Sequence, residues 1–270
     1  MKSKNLLIVV LALFLSIGFA VHAQDNRTLT VFAAASLTDA FEEIALAFEA
    51  DNPGVEVVFN FTGSSDLATQ LSEGAPADVF ASANTRQLLN AREAGRITGQ
   101  VRIFARNHLV LIVPADNPAA VQGLADLAND GVLLVIAAPD VPVRDYTDTM
   151  LERLAADPGY GEAYRDAVLA NVVSEEQNVR QVSAKVALGE ADAGIVYASD
   201  VTPDLVDDVI VFPIEDAFNT IAIYPMAVTN DAAEPELAQA FINAVFACEG
   251  QAVLVKWGFI SARPLTCGLR

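Results

Sequence analysis

Four short stretches place hydroxyl or amide side chains where a β-rich run gives way to a helical one. "AAASLTDAFEE" carries Ser36 with Asp39 three residues on, the spacing of a capping pair. "FTGSSDLATQL" carries Gly63, Ser64 and Ser65. "APDVPVRDYTDTM" carries Pro142, a natural first helical residue, and "EEQNVRQVSAKVA" carries Asn178, a preferred N-cap. A helix start leaves backbone N–H groups unsatisfied and carries about half a positive charge. Several such starts aimed at one point would hold a small anion without lysine or arginine. Each alone is an ordinary cap; only convergence makes a site.

Other chemistries are poorly supplied. No G-x-S-x-G string is present, and His108 lies inside the apolar run "HLVLIVP", where a histidine is usually structural. Without a second base, a Ser-His-Asp hydrolase would rest on His108 alone. Acidic pairs are frequent only because acids are frequent, so a glycosidase pair is neither supported nor excluded. Cys248 and Cys267 are the two cysteines, too few with His108 to build a zinc site. Ferric ion would want several phenolates; Tyr146, Tyr160, Tyr164, Tyr197 and Tyr224 include no adjacent pair, although Tyr146 and Tyr197 could share a cleft.

The elements that would position these residues alternate. "TLTVFAA" reads as a strand, followed by an amphipathic helix over Leu37–Ala50 with Phe41, Ile44, Ala45 and Phe48 on one face. Strand "VEVVFNFT", a short helix over Leu67–Ser72, strand "ADVFAS" and a helix over Thr85–Ala94 follow. Then come strand "HLVLIVP", helix Leu124–Asn129, strand "VLLVIAA", helices Val143–Ala155 and Glu162–Ala170, strand "NVV" and helix Val179–Leu188. Strands "AGIVY", "VIVFP" and "IAIYPMAVT" precede two closing helices, Pro235–Ala247 and Gln251–Trp257. Such βα alternation predicts mostly parallel sheets flanked by helices. No flexible linker occurs, so the lobes are expected to be joined by β-connections around Asn107–His108 and Ala222–Pro225. That gives 24–107 with 226–270 as one lobe and 108–225 as the other.

Composition narrows the partners. With 16 basic against 35 acidic residues the 270-residue chain carries −19, a poor match for nucleic acid or an anionic membrane. Lys2 and Lys4, the apolar run Leu6–Ala20, and small residues Val21 and Ala23 read as an export signal over 1–23. The run is short of the ~20 apolar residues that a bilayer span needs. Cleavage would leave a soluble extracytoplasmic protein, more acidic still. In an oxidising compartment Cys248 and Cys267 are expected to pair. Closing a loop of about 20 residues would stabilise by about 3 kcal/mol.

"TVFAAASLTDAFEEIA", "GSSDLATQLSEGAPADVFASAN" and "GEADAGIVYASD", in this order, with "LVKWGF" near the end, resemble the periplasmic molybdate-binding proteins of bacterial ABC importers. The likeness spans the whole chain after the export signal. It implies a two-lobed type II binding-protein fold closing on molybdate or tungstate, held by two serines, two backbone amides and a tyrosine. Matched residue by residue, these are Ser36, Ser64 (or the adjacent Ser65), Val143, Val179 and Tyr197. It further implies a monomer with no cofactor and no catalysis, docking on a membrane permease. One departure stands out. After the "VP" turn the family has a small residue and a glycine, whereas this chain has Arg144 and Asp145, expected to face solvent.

The implied donors suit the implied ligand. Molybdate at neutral pH is a bare dianion, and hydroxyls and amides can all donate to it. A shell of donors offers no acceptor to the proton of hydrogen phosphate. Sulfate has no such proton, so its exclusion would rest on pocket size, and another tetrahedral oxyanion such as sulfate is the nearest alternative. A sensory domain on the same fold would bind identically.

Overall fold

The computed structural model describes residues 27–263; the expected export signal over 1–23 and Cys267 lie outside them. In chain order the elements are β1 (Arg27–Ala34), α1 (Thr38–Asp51), β2 (Val55–Thr62), α2 (Ser64–Ser72), β3 (Val79–Ala81), α3 (Thr85–Glu93), β4 (Arg102–Asn107) and β5 (Leu109–Pro114). After a 3-10 turn at Leu124–Ala128 come β6 (Leu134–Ala137), α4 (Pro142–Ala156), α5 (Glu162–Ala170), β7 (Val172–Glu176), α6 (Val179–Ala187) and β8 (Ala193–Tyr197). The chain continues through β9 (Val209–Pro213), β10 (Ala222–Val228), α7 (Pro235–Phe246), α8 (Cys248–Lys256) and β11 (Ile260–Ser261).

Two sheets result, ordered β11-β4-β10-β3-β1-β2 and β7-β6-β8-β5-β9. Both are mixed rather than mostly parallel. β1 runs parallel to β2 and β3, but β10 is antiparallel to β3 and β4. In the second sheet β6 is parallel to β7 and β8, while β5 opposes β8 and β9. The reversed pairings involve the strands that lead into or out of the interlobe crossings, which enter each sheet from the neighbouring lobe.

The outward crossing is His108 alone, between β4 and β5. The expected return near Ala222–Pro225 falls inside β10, which pairs with β4 from Ala222 to Met226; the return is therefore the segment 214–221. Asn219 in that segment ties the crossings together: its side chain accepts from Leu109 N at 3.0 Å and donates to Leu109 O at 2.8 Å.

Apolar periodicity explains the packing. α1 buries Phe41, Ile44, Ala45 and Phe48, the face expected from the sequence. Phe41 meets Phe104 and Phe241 at 5.6 and 5.9 Å between ring centres, an aromatic centre joining both ends of the chain. β5 is buried along its whole length, as its unbroken apolar run requires. Where α6 crosses β8, Gly194 permits close approach: a Cβ there would lie 2.9 Å from Val186 Cγ2.

Candidate ligand-binding cleft

Strand ends of both sheets meet at one small cavity. Ser36 follows β1 and Ser64 follows β2; Val143 and Val179 begin α4 and α6, and Tyr197 ends β8. All five line the cavity, together with Gly63 and Asn178. Open α/β sheets place ligands at the carboxyl ends of their strands for this reason: helix starts collect there.

Neither serine is a cap. Ser36 lies in a 3-10 turn (Ala35–Leu37) and its side chain caps no helix; Ser36 Oγ instead lies 3.0 Å from Tyr224 Oη in a buried hydrogen bond. Ser64 is the first residue of α2 behind Gly63, and its Oγ accepts from Ala83 N at 3.0 Å. Ser65 is absent from the lining. Val143 follows Pro142 at the start of α4, and Val179 follows Asn178, whose side chain caps α6 by accepting from Gln181 N. Their N–H groups are among those that a helix leaves free at its start.

Tyr197 is 1% exposed and its hydroxyl has no hydrogen-bond partner among the described residues. Burial pushes its pKa well above the usual phenol value, so it remains a neutral donor. Among the described residues, no Asp, Glu, Lys, Arg or His lines the cavity. The cavity is small, about 10 Å³, with no room for a sugar or a peptide. Among the described residues, no cluster of three or more His, Cys, Asp or Glu could hold a metal ion.

Charges surround the cleft without entering it, and here the structure corrects the sequence. Arg144, expected in solvent, has a side chain only 15% exposed; it pairs with Asp148 at 2.7 Å and Glu175 at 2.6 Å. The pairing with β7 beside β6 brings Glu175 within reach. Asp145 crosses to the other lobe, bonding Arg86 Nη2 at 2.6 Å and Asn84 Nδ2 at 2.8 Å. A second bridge joins Asp39 of α1 to Arg180 of α6, whose Nε lies 2.9 Å from fully buried Asp200. Burial raises Asp200 to about 6 despite Arg180. Backbones also touch across the cleft: a Cβ on Gly63 would stand 2.4 Å from Gln177 O. Tyr146 does not line the cavity. Its hydroxyl accepts from Ile223 N at 3.0 Å, and its ring meets Tyr197 edge-on.

Sequence reasoning missed Tyr224, Asn107, Arg180 and Asp200. Tyr224 and Asn107 do sit at or beside the anticipated crossings, the one signal that could have marked them.

Two mixed sheets joined by two crossings, with a small donor-lined cleft between them, define a two-lobed solute receptor of the type II periplasmic binding class. The chain belongs to the bacterial extracellular solute-binding protein family, whose model matches residues 29–260, and within it to the ModA molybdate-binding proteins. It is 40% identical over 241 residues to the molybdate-binding protein ModA of Mycobacterium tuberculosis H37Rv, covering 89% of this chain and 87% of that one. The fold matches the periplasmic molybdate-binding protein of Azotobacter vinelandii with a TM-score of 0.74 at 21% identity, over 87% of this chain and all of that one. It also matches the sulfate-binding protein SubI of M. tuberculosis H37Rv with a TM-score of 0.77 at 19% identity, over 88% of each chain. These two likenesses concern the fold alone.

Proposed function

We propose that this protein captures molybdate or tungstate outside the cytoplasm and delivers it to the permease of an ABC importer. The observation that carries the reading is the buried Tyr197 hydroxyl, without a partner among the described residues, on a cavity that Ser36, Thr62, Ser64 and the starts of α4 and α6 also line. A buried donor left without a partner costs about 1–3 kcal/mol, a cost that an anionic ligand removes. Ser36 and Ser64 belong to one lobe and Val143, Val179 and Tyr197 to the other, so the ligand holds the lobes together. Kinship with the ModA proteins supports the choice of molybdate among oxyanions. The reading includes cleavage of 1–23, a Cys248–Cys267 disulfide, a monomeric receptor, and no cofactor or covalent chemistry.

Calorimetric titration of the protein lacking 1–23 with molybdate, tungstate, sulfate and phosphate tests it. Tight binding of the first two, with phosphate silent, is the expected result. Sulfate binding as tightly as molybdate would make this a general oxyanion receptor, and silence for all four would overturn the proposal.

A further inference from the structure

The hydrogen bonds behind the cleft hydroxyls determine which way their protons can point. A serine hydroxyl has one proton and two acceptor positions, and it rotates to suit its partner. Ser64 is not free to do so equally, because Ala83 N–H already donates to its oxygen. Its proton is left for the cavity.

Ser36 is held from behind by Tyr224 of β10, the strand that pairs with β4. Asn107, fully buried at the end of β4, accepts from His108 N through Oδ1 at 2.9 Å, which fixes the amide with Nδ2 on the other side. Nδ2 donates to Ser199 Oγ at 2.8 Å, so this amide offers Tyr224 no acceptor. Among the described residues the phenol's proton then has Ser36 Oγ, 3.0 Å away, as its partner. The opposite assignment would leave a fully buried phenol proton without an acceptor. The Tyr224 ring is held by edge-on contacts with Phe259 at 5.3 Å, Tyr197 at 5.8 Å and Phe104 at 6.2 Å.

We propose that Tyr224 is a positioning and specificity residue: by donating to Ser36 Oγ it occupies one of that oxygen's two acceptor positions and turns the Ser36 proton towards the cleft, favouring fully deprotonated tetrahedral oxyanions over protonated ones. This rests on the oxyanion reading above. Without the phenol hydroxyl, Ser36 can turn and accept a proton from a hydrogen-bearing anion.

The test is a double-mutant cycle on the protein lacking 1–23: wild type, Tyr224→Phe, Ser36→Ala and the double variant, titrated with molybdate. Tyr224→Phe is expected to bind about tenfold more weakly, and the double variant within about twofold of Ser36→Ala alone. Phosphate should also compete measurably better against Tyr224→Phe than against wild type, relative to molybdate. Wild-type affinity in Tyr224→Phe, or losses that multiply independently, would overturn the proposal. So would unchanged phosphate competition. Unfolding of the ligand-free forms is followed in parallel, since a general loosening of the core gives independent losses rather than coupled ones. If wild type ignores molybdate but binds another oxyanion of the panel, the molybdate reading falls and the same cycle is judged with that anion. If it binds none, both fall.

Discussion

At the scale of single residues, the site works by leaving polar groups incomplete. Tyr197 is the simplest case: Tyr197→Phe preserves the ring between Tyr146 and Tyr224 and removes one donor to a charged ligand. Molybdate affinity should fall about tenfold or more, while ligand-free stability holds or rises because an unpaired buried hydroxyl has gone. Equal affinity by titration would take Tyr197 out of the site. Asp200 gives a pH signature. Its pKa in the folded protein, about 6, lies above the ordinary 3.8, so between these values the native state holds a proton that the unfolded chain lacks. Stability from this group is therefore present at low pH and lost as pH rises towards 6. In urea titrations Asp200→Asn should gain on wild type across that window, and a pH-independent difference would reject the assignment. The five positions carried over from the family motif were legible in the sequence, and they reach one cavity. Tyr224 was not legible as a partner of Ser36, since 188 residues separate them and only sheet pairing joins them. Arg144 was misread because a first-turn arginine looks solvated until β7 brings Glu175 beside it.

At the scale of elements, helix starts and strand ends do the positioning. The βα alternation, the amphipathic face of α1 and the starts of α4 and α6 could be read from periodicity, Pro142 and the Asn178 cap, whereas Ser36 and Ser64 proved not to be caps. The sheet order could not, because strands of two to eight residues carry little information about their neighbours. Strand direction escaped for the same reason: β5, β9 and β10 look like any other apolar run. Gly63 had read as a turn residue, yet its φ of −58° is available to any amino acid. What demands glycine is the Gln177 carbonyl arriving from the other lobe. Gly63→Ala should therefore fold normally and close poorly. The expectation is an affinity at least about tenfold weaker, with ligand-free unfolding changed little, since the clash exists only when the lobes meet. Small-angle scattering with saturating molybdate should show a more open particle than wild type. Closure to the wild-type dimensions would argue that the contact yields easily.

At the scale of the whole molecule, a chain of −19 must receive a dianion. The screening length is about 8 Å at physiological salt, so distant carboxylates hardly reach the ligand once it is bound. Encounter is different, because repulsion acts before contact. The association rate should rise as salt is added from low ionic strength, opposite to the behaviour of a steered pair. Stopped-flow rates that fall with salt would mean that a local positive field outweighs the net charge. Kinship and the two-lobed plan were readable from the motifs; the return over 214–221 was not, because nothing in the run "IAIYPMAVT" marks where β10 begins. The position of β10 also bears on how the protein is made. It lies between β4 and β3, so the first sheet stays split into two pieces until residue 228 has joined it. A chain emerging from its amino end can assemble the second sheet before the first is whole. The lobe that holds both chain ends is thus the last to be completed, when β10 closes the gap between β4 and β3.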